Sequence, residues 1–125
     1  MNDVDPTRED VRAFMAHDDG EPIVMLNLLR YDGEQGRRSY GEYLSRARKF
    51  FGAVGGRVIY AGDCGQALVA PEGDAWDSVL LVEYPSRSAF LEMVKDPAYQ
   101  QITELRTRGL SAAVLQPTSR RGDAA

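Results

Sequence analysis

Three polar side chains occur within otherwise apolar stretches, and together they could polarise a carbonyl group or hold an anionic oxygen. Asn27 interrupts the apolar run IVMLNLLR, where an unpaired amide would cost about 1–3 kcal/mol. Tyr84 ends a second apolar run, next to Pro85. Arg106 shares helical spacing with apolar residues, so a core-facing guanidinium would need a carboxylate or phosphate partner. We therefore predict Asn27, Tyr84 and Arg106 as catalytic residues.

Each of these residues also has a structural interpretation. Asn27 could hydrogen-bond to a helix or to Tyr43, and Tyr84 could be an amphipathic aromatic residue at a sheet edge. Arg106 could pair with Glu104 or lie on the surface. The sequence leaves these alternatives open.

Three aromatic residues are candidates for substrate binding. Tyr43 and Tyr99 lie on the helix faces that should cover the sheet, and Trp76 opens a strand, where it could stack on a flat substrate or simply pack. No Gly-rich phosphate loop or Ser/His/Asp set competes with these candidates. The single Cys64 and the single His17 argue against a Cys/His nucleophile and against a zinc site.

Length and charge narrow the function classes. The chain has 125 residues, enough for one domain, and a net charge of −4 from 15 basic and 19 acidic residues. Its basic residues form no stripe, so we expect no nucleic-acid partner. No run is apolar enough for a membrane span or a signal core, and one cysteine excludes an internal disulfide. We expect a cytoplasmic protein without cofactor or metal.

The first half of the chain predicts two helices and one strand. Asp5-Pro6 supplies a cap and a proline for a short N-terminal helix, and residues 23–31 are apolar on both alternating sets, as in a strand covered on both faces. A loop should follow, then a capping box of Ser39 and Glu42 before a helix over residues 40–53. Two glycines at 55 and 56 should stop it.

The second half predicts three strands and an interrupted helix. Strands are expected over residues 57–70, with a bulge among the glycines at 62–65, and over residues 76–84. Pro85-Ser86 should cap a helix that a proline interrupts and that then continues through Arg106. The last strand is expected over residues 110–117.

This order, β-α-β-β-α-β after an extra N-terminal helix, predicts an α+β, ferredoxin-like domain with sheet order 4-1-3-2. We expect residues 1–20 as the helical extension, 21–117 as the domain and 118–125 as a disordered tail. With the first and third strands parallel and Ile23 beside Trp76, Asn27 shares one face with Ser78, Leu80, Val82 and Tyr84.

The opposite face is also apolar, so it requires a second sheet, and the simplest supplier is a second copy of the chain. In the assumed register, Arg30 shares that face with Asp77 and Glu83. Arg30 and Glu83 would then form an ion pair at the dimer barrel. Alternatively, Asp77 or Glu83 could be desolvated there and act as a general base.

The runs PIVMLNLLRY, GGRVIYAG and WDSVLLVEYPSRSAFLEMVKDPAY, with the later Arg106, resemble the DUF1330 family of the dimeric α+β barrel superfamily. The resemblance covers about residues 21–117. It implies a homodimer with a ligand between sheet and helices, and relatives that include haem-degrading and cofactor-free monooxygenases, isomerases and cyclases. Of the haem-degrading pattern, Asn27 matches, whereas Tyr84 replaces a tryptophan and Thr103 lies near the axial histidine position.

The sequence therefore predicts a small-molecule-binding dimeric α+β barrel. It is either a cofactor-independent enzyme of cyclase, isomerase or monooxygenase type, acting on an aromatic or polyketide-like substrate, or a non-catalytic ligand-binding or structural dimer. A haem-binding monooxygenase is the weaker alternative.

Overall fold

Four strands and five helical segments follow one another in the computed structural model, which describes residues 4–122. They are α1 (Arg8–Met15), β1 (Ile23–Tyr31), α2 (Gly33–Ala53), β2 (Arg57–Asp63), β3 (Ser78–Tyr84), α3 (Arg87–Lys95), α4 (Pro97–Gln100), α5 (Thr103–Gly109) and β4 (Leu110–Thr118). The predicted tail begins inside β4 at residue 118, and its last residues, 123–125, lie outside the described part.

The strands form one sheet in the order β2-β3-β1-β4, which is the ferredoxin-like order predicted from the sequence. Every neighbouring pair is antiparallel, so the prediction that β1 and β3 are parallel is wrong. The helical crossover α2 makes β2 parallel to β1, and β3 lies between them in the opposite direction. Ile23 is opposite Tyr84 rather than Trp76, and Leu29 is opposite Ser78.

The predicted faces of the sheet nevertheless hold. Positions 76 and 84 differ by an even number, so exchanging them as the partner of Ile23 leaves every side chain on its predicted face. Asn27 lies opposite Leu80 on the face that carries Ser78, Val82 and Tyr84. That face is buried beneath the helices, where it forms the core with residues such as Tyr40, Ala47, Phe51 and Met93.

Helix α2 begins at Gly33, seven residues before its predicted start, so the expected loop and capping box are wrong. Its early turns pack against α5, where a Cβ on Gly36 would lie 2.5 Å from the carbonyl oxygen of Gly109. Ser39 caps nothing and donates to the carbonyl oxygen of Leu105 at 2.7 Å. A tertiary contact thus extends the helix over glycines that have little helix propensity. Gly55, with φ of 82°, follows its end as expected.

Strand β2 ends at Asp63, well before the predicted residue 70. Its last partner in the sheet is Ser78, the first residue of β3, so the following residues have no strand to pair with. The register shift lies near Val58 to Tyr60 rather than at residues 62–65. The segment that joins the strands carries the exposed side chains of Leu68 and Val69.

Helix α1 packs on α3 through the aromatic pair Phe14 and Phe90, whose ring centroids are 5.4 Å apart. Its cap is Thr7, in a capping box with Asp10, and not Asp5 as predicted. At the other corner, Ser86 caps α3 as predicted, accepting from the amide of Ala89 at 3.1 Å. The helix predicted to follow Ser86 is interrupted at Pro97 as expected, so that α3 ends at Lys95 and α4 begins at Pro97.

The face of the sheet turned away from the helices has no cover among the described residues. Apart from Val24, which is 7% exposed, its apolar side chains are only partly buried, and all of them lie outside the core cluster. We call this surface the open face; it comprises Leu26, Leu28, Val79, Leu81 and Val114. Tyr60, 55% exposed, pairs with Leu81 at its border.

Candidate functional site

A cavity of about 250 Å³ lies between the buried face of the sheet and helices α2 to α5. Five of the six predicted site residues line it: Asn27, Tyr43, Tyr84, Tyr99 and Arg106. The sixth, Trp76, lies outside it, beneath the guanidinium of Arg30 at 5.0 Å. Residues from β1, β3 and three helices thus converge on one space, although they are far apart in the sequence.

Asn27 lies on the floor of the cavity and is 7% exposed. Its amide nitrogen donates to the carbonyl oxygens of Met25 at 3.4 Å and Leu80 at 3.3 Å. Both distances exceed the usual 2.9–3.0 Å, so both bonds are weak. Within residues 4–122, no donor reaches its Oδ1. The partners are strand carbonyls rather than the helix or the Tyr43 hydroxyl considered from the sequence.

Tyr43 on α2 and Tyr99 on α4 share a hydrogen bond of 2.6 Å between their hydroxyl oxygens. Each phenol carries one proton, and the shared bond uses only one of the two. The other proton has no partner in the described part of the chain. Burial is the main cause that raises the pKa of both phenols, so both are neutral at physiological pH. The pair therefore offers one unused donor.

Arg106 on α5 is 6% exposed. Its Nη1 donates to the carbonyl oxygen of Val4 and to Oδ1 of Asp5 at 3.0 Å. Its Nη2 is buried and makes no hydrogen bond with any described residue. Glu104 is not its partner, since the carboxylate it contacts comes from a residue 101 positions away. The site thus holds a buried cation whose second nitrogen is unused.

Tyr84 is also inside the cavity, with 2% of its surface exposed. Its hydroxyl lies 4.0 Å from the sulfur of Met93, a weak contact, and its ring meets Phe51 and Phe90 edge to face. Burial raises the pKa of Tyr84, so it is a neutral donor and not a base. It does not sit at an exposed sheet edge.

Two residues of the site were missed by the sequence analysis. Tyr40 lies one helical turn before Tyr43 and lines the cavity, and burial raises its pKa as well. Its helical spacing within α2 could have revealed it. Asp5 contacts both Arg106 and Thr107. No spacing rule could have revealed Asp5, because about a hundred residues separate it from its partners.

The predicted ion pair between Arg30 and Glu83 is wrong. In the antiparallel register Glu83 lies opposite Val24, at the other end of the strand from Arg30. Glu83 instead contacts Arg57 at 3.0 Å and Arg120 at 3.4 Å. Arg30 donates to the carbonyl oxygens of Gly73 and Ala75.

The other candidate general base, Asp77, accepts from the backbone amide of Tyr31 at 2.9 Å. It does not line the cavity. No cluster of three or more His, Cys, Asp or Glu residues that could hold a metal is found among residues 4–122. No helix in the same range is long and apolar enough to cross a membrane.

Comparison with protein families gives one match. Residues 34–116 match the model of the domain of unknown function DUF1330. No curated protein matches the chain. The chain is similar in structure to the RPA0582 protein of unknown function from Rhodopseudomonas palustris, with 32% identity and a TM-score of 0.89, covering 97% of this chain and 98% of that one.

More distant structures share the fold. A hydroxynitrile lyase from Passiflora edulis has 10% identity and a TM-score of 0.64, covering 85% of this chain and 99% of its own. SnoaB, a cofactor-independent oxygenase from Streptomyces nogalater, has 15% identity and a TM-score of 0.55, covering 81% and 94%. At these identities the similarity shows the ferredoxin-like fold and nothing about activity.

Proposed function

This chain belongs to DUF1330, a family of domains of unknown function, and we propose that it is a homodimeric protein that binds a small molecule between its sheet and its helices. One observation carries the proposal: the cavity brings together polar groups that the described residues leave unsatisfied. Nη2 of Arg106 is buried without a hydrogen bond to any described residue. The Tyr43–Tyr99 pair and Asn27, which also line the cavity, add one spare phenol proton and an amide oxygen without a described donor. Buried polar groups are normally paired, so a ligand is the natural partner.

The lining favours a flat, partly aromatic or polyketide-like molecule. Apart from the polar groups, the walls consist mainly of aromatic and aliphatic side chains, including Phe51, Leu80, Val82, Phe90 and Met93. The volume of about 250 Å³ is slightly below the usual range of ligand pockets, about 300–1,000 Å³, so a small ligand is expected. Trp76 has no place in this cavity, and its role in substrate binding stays a prediction.

Titration calorimetry with two small probes, benzoate and benzamide, tests the binding proposal. Thr103 lines the cavity without belonging to the buried core, so Thr103→Phe should fill the space with little strain. We expect at least one probe to bind the wild type and neither to bind this variant. Leu91→Phe, on the outer side of α3 and away from the cavity, is the control and should bind as the wild type does. Binding that survives Thr103→Phe would place the ligand elsewhere.

The open face supports the homodimer. It is a contiguous set of apolar side chains on a sheet whose other face is fully covered, and such a face is stable in water when a second layer covers it. The resemblance to dimeric α+β barrels makes a second copy of the chain the expected layer, related by a twofold axis.

Light scattering coupled to size exclusion tests this assembly. The wild type should elute as a dimer, and Leu81→Glu, in the middle of the open face, should elute as a folded monomer. Leu91→Glu changes a similarly half-buried leucine on α3 and should remain dimeric. A wild-type monomer, or a dimer unaffected by Leu81→Glu, would contradict the assembly.

Catalysis is the second candidate function. Arg106 and the neutral phenols, Tyr84 included, could stabilise an anionic oxygen that develops during cyclisation, isomerisation or cofactor-free oxygenation, with Asn27 as a further polar contact. Asp5 is the only carboxylate among the described lining residues, and thus the available base there. Neighbours as different as a lyase and an oxygenase share the fold, so the fold itself leaves the reaction type open.

The haem alternative finds little support in the cavity. Thr103 lies in the lining where the resemblance expects an axial histidine, and the described lining holds no histidine or cysteine. His17 lies in a neighbouring groove beside α1. The residues present therefore do not fit a haem. A hemin titration should show no shift of the Soret band.

A further inference from the structure

We propose that the ligand carries a carboxylate, and that this carboxylate binds Arg106 in competition with the protein's own Asp5. The inference rests on the proposed small-molecule binding and names the class of ligand. It concerns the end of the cavity formed by α5 and the N-terminal residues Val4 to Pro6.

The first support is the geometry around the guanidinium. Nη1 of Arg106 is occupied by Val4 and Asp5, whereas Nη2 is buried without a described partner. A guanidinium presents paired donors that match the two oxygens of a carboxylate. Asp5 contacts the guanidinium at Nη1, and Nη2 is left for another acceptor. A ligand carboxylate in its place could use both.

The second support is the excess of donors at this end of the cavity. The unused proton of the Tyr43–Tyr99 pair adds to the two protons of Nη2. Burial is the main cause that raises the pKa of Tyr99, the hydrogen bond of Tyr43 and the charge of Arg106 lower this pKa, and the charge of Asp5 raises it, so both charged groups act electrostatically on this phenol. A site rich in donors and containing one buried cation suits an anion better than a neutral ligand.

The single positive charge selects the class of anion. Arg106 is the only cation among the described residues that line the cavity. A monoanionic carboxylate would balance it, whereas a phosphate dianion would leave a buried excess of negative charge. An aromatic carboxylate would also use the apolar walls. Small aromatic monocarboxylates are therefore the class that fits.

Asp5 already supplies a carboxylate to Arg106 from within the chain. Its carboxylate lies 3.0 Å from Nη1 of Arg106 and accepts from the hydroxyl of Thr107 at 2.9 Å. Its side chain is 39% exposed, so water can solvate it once a ligand carboxylate has taken its place on the buried Arg106. While it stays in place, it repels an incoming carboxylate. Removing its charge should therefore strengthen carboxylate binding, which a purely structural ion pair would not do.

The test compares benzoate with its neutral analogue benzamide by titration calorimetry. Wild type should prefer benzoate by about 10-fold or more, as expected for a charge-assisted hydrogen bond. Asp5→Asn should tighten benzoate by about 3- to 10-fold and leave benzamide within about 2-fold, as expected for removal of one partly exposed charge. Asp74→Asn makes the same charge change in the exposed loop and should alter neither affinity. Arg106→Gln should lose the preference for benzoate, and Arg106→Lys should retain part of it.

The outcomes separate this inference from the proposed function. If both probes bind the cavity equally and Asp5→Asn changes neither, the carboxylate inference is wrong while small-molecule binding stands. If Asp5→Asn weakens benzoate, Asp5 assists binding and the competition is wrong. If neither probe binds any variant, both proposals fail. If Arg106→Gln does not fold, as seen by circular dichroism, the comparison of wild type with Asp5→Asn still decides.

Discussion

Replacing Asn27 by leucine should leave the protein at least as stable as the wild type while abolishing ligand binding. The two hydrogen bonds of Asn27, at 3.3 and 3.4 Å, are long, and each is worth about 0.5 kcal/mol at the low end of the usual range. Its Oδ1 has no described donor, and replacing a weakly bonded amide by an apolar side chain of similar shape can be nearly neutral or stabilising. We therefore expect the free energy of unfolding to stay the same or rise by up to about 1 kcal/mol, with the probes of the cavity no longer bound.

Ser78→Ala is the matched control on the same face of the sheet. The Ser78 hydroxyl accepts from Tyr31 and donates to Asp63, both at 2.9 Å, so its loss should cost about 1–2 kcal/mol. Urea unfolding followed by circular dichroism, at one protein concentration because a dimer is expected, measures both variants. If Asn27→Leu lost 1 kcal/mol or more with an unchanged denaturant slope, Asn27 would be a structural residue and the reasoning about its functional role would fail.

Three further predictions follow from the fold and the cavity. Gly36→Ala should destabilise the protein by about 1–3 kcal/mol in thermal denaturation, because the new methyl group would lie 2.5 Å from the carbonyl oxygen of Gly109. Gly41→Ala, on the same helix with open space around it, is the control and should be neutral or stabilising. The four buried tyrosines have folded pKa values above the unfolded value of about 10, so their stabilisation is complete below pH 10 and lost above it. As the pH rises above 10, each of these tyrosines should lower the free energy of unfolding by up to about 1.4 kcal/mol per pH unit. Constant stability in urea unfolding from pH 9 to 11 would contradict this. Tyr43→Phe should cost about 1 kcal/mol in urea unfolding, since it removes the hydrogen bond between the two phenols. It should also weaken benzoate binding several-fold, because the remaining Tyr99 hydroxyl is no longer held in one orientation. Unchanged benzoate affinity would place the carboxylate away from the phenols.

The elements that the sequence predicts well are those with local causes. Strand β1 has the predicted bounds, because a mostly apolar run with Ile, Val and Tyr lies between turn residues such as Gly20 and Gly33. Ser86 caps α3 through a contact three residues away. The sheet order follows from the order of the elements, since few topologies accept β-α-β-β-α-β.

The predictions that failed depend on contacts between distant parts of the chain. Helix α2 begins early because Gly36 and Gly109 allow close packing with α5, and propensity alone favours a loop there. Strand β2 is short because β3 offers no partner beyond Ser78. The direction of β3 was misassigned, although it follows from the crossover between β1 and β2.

The sequence predicts which residues line the candidate site, but it does not predict which of them contact one another. Asn27, Tyr84 and Arg106 stand out because each is polar or amphipathic at a position that the pattern marks as buried. Their common cavity follows from the correct sheet faces. The link between Asp5 and Arg106 joins the N-terminal segment to α5 across almost the whole chain, and a local pattern assigned Asp5 to a helix cap instead.

A crystal structure of the protein with benzoate tests the central claim most directly. We expect density for the ligand in the cavity between the sheet and the helices, with its carboxylate on Nη2 of Arg106 and its ring against the apolar walls. A cavity that holds only water, in crystals grown at a benzoate concentration that saturates the protein in solution, would contradict it.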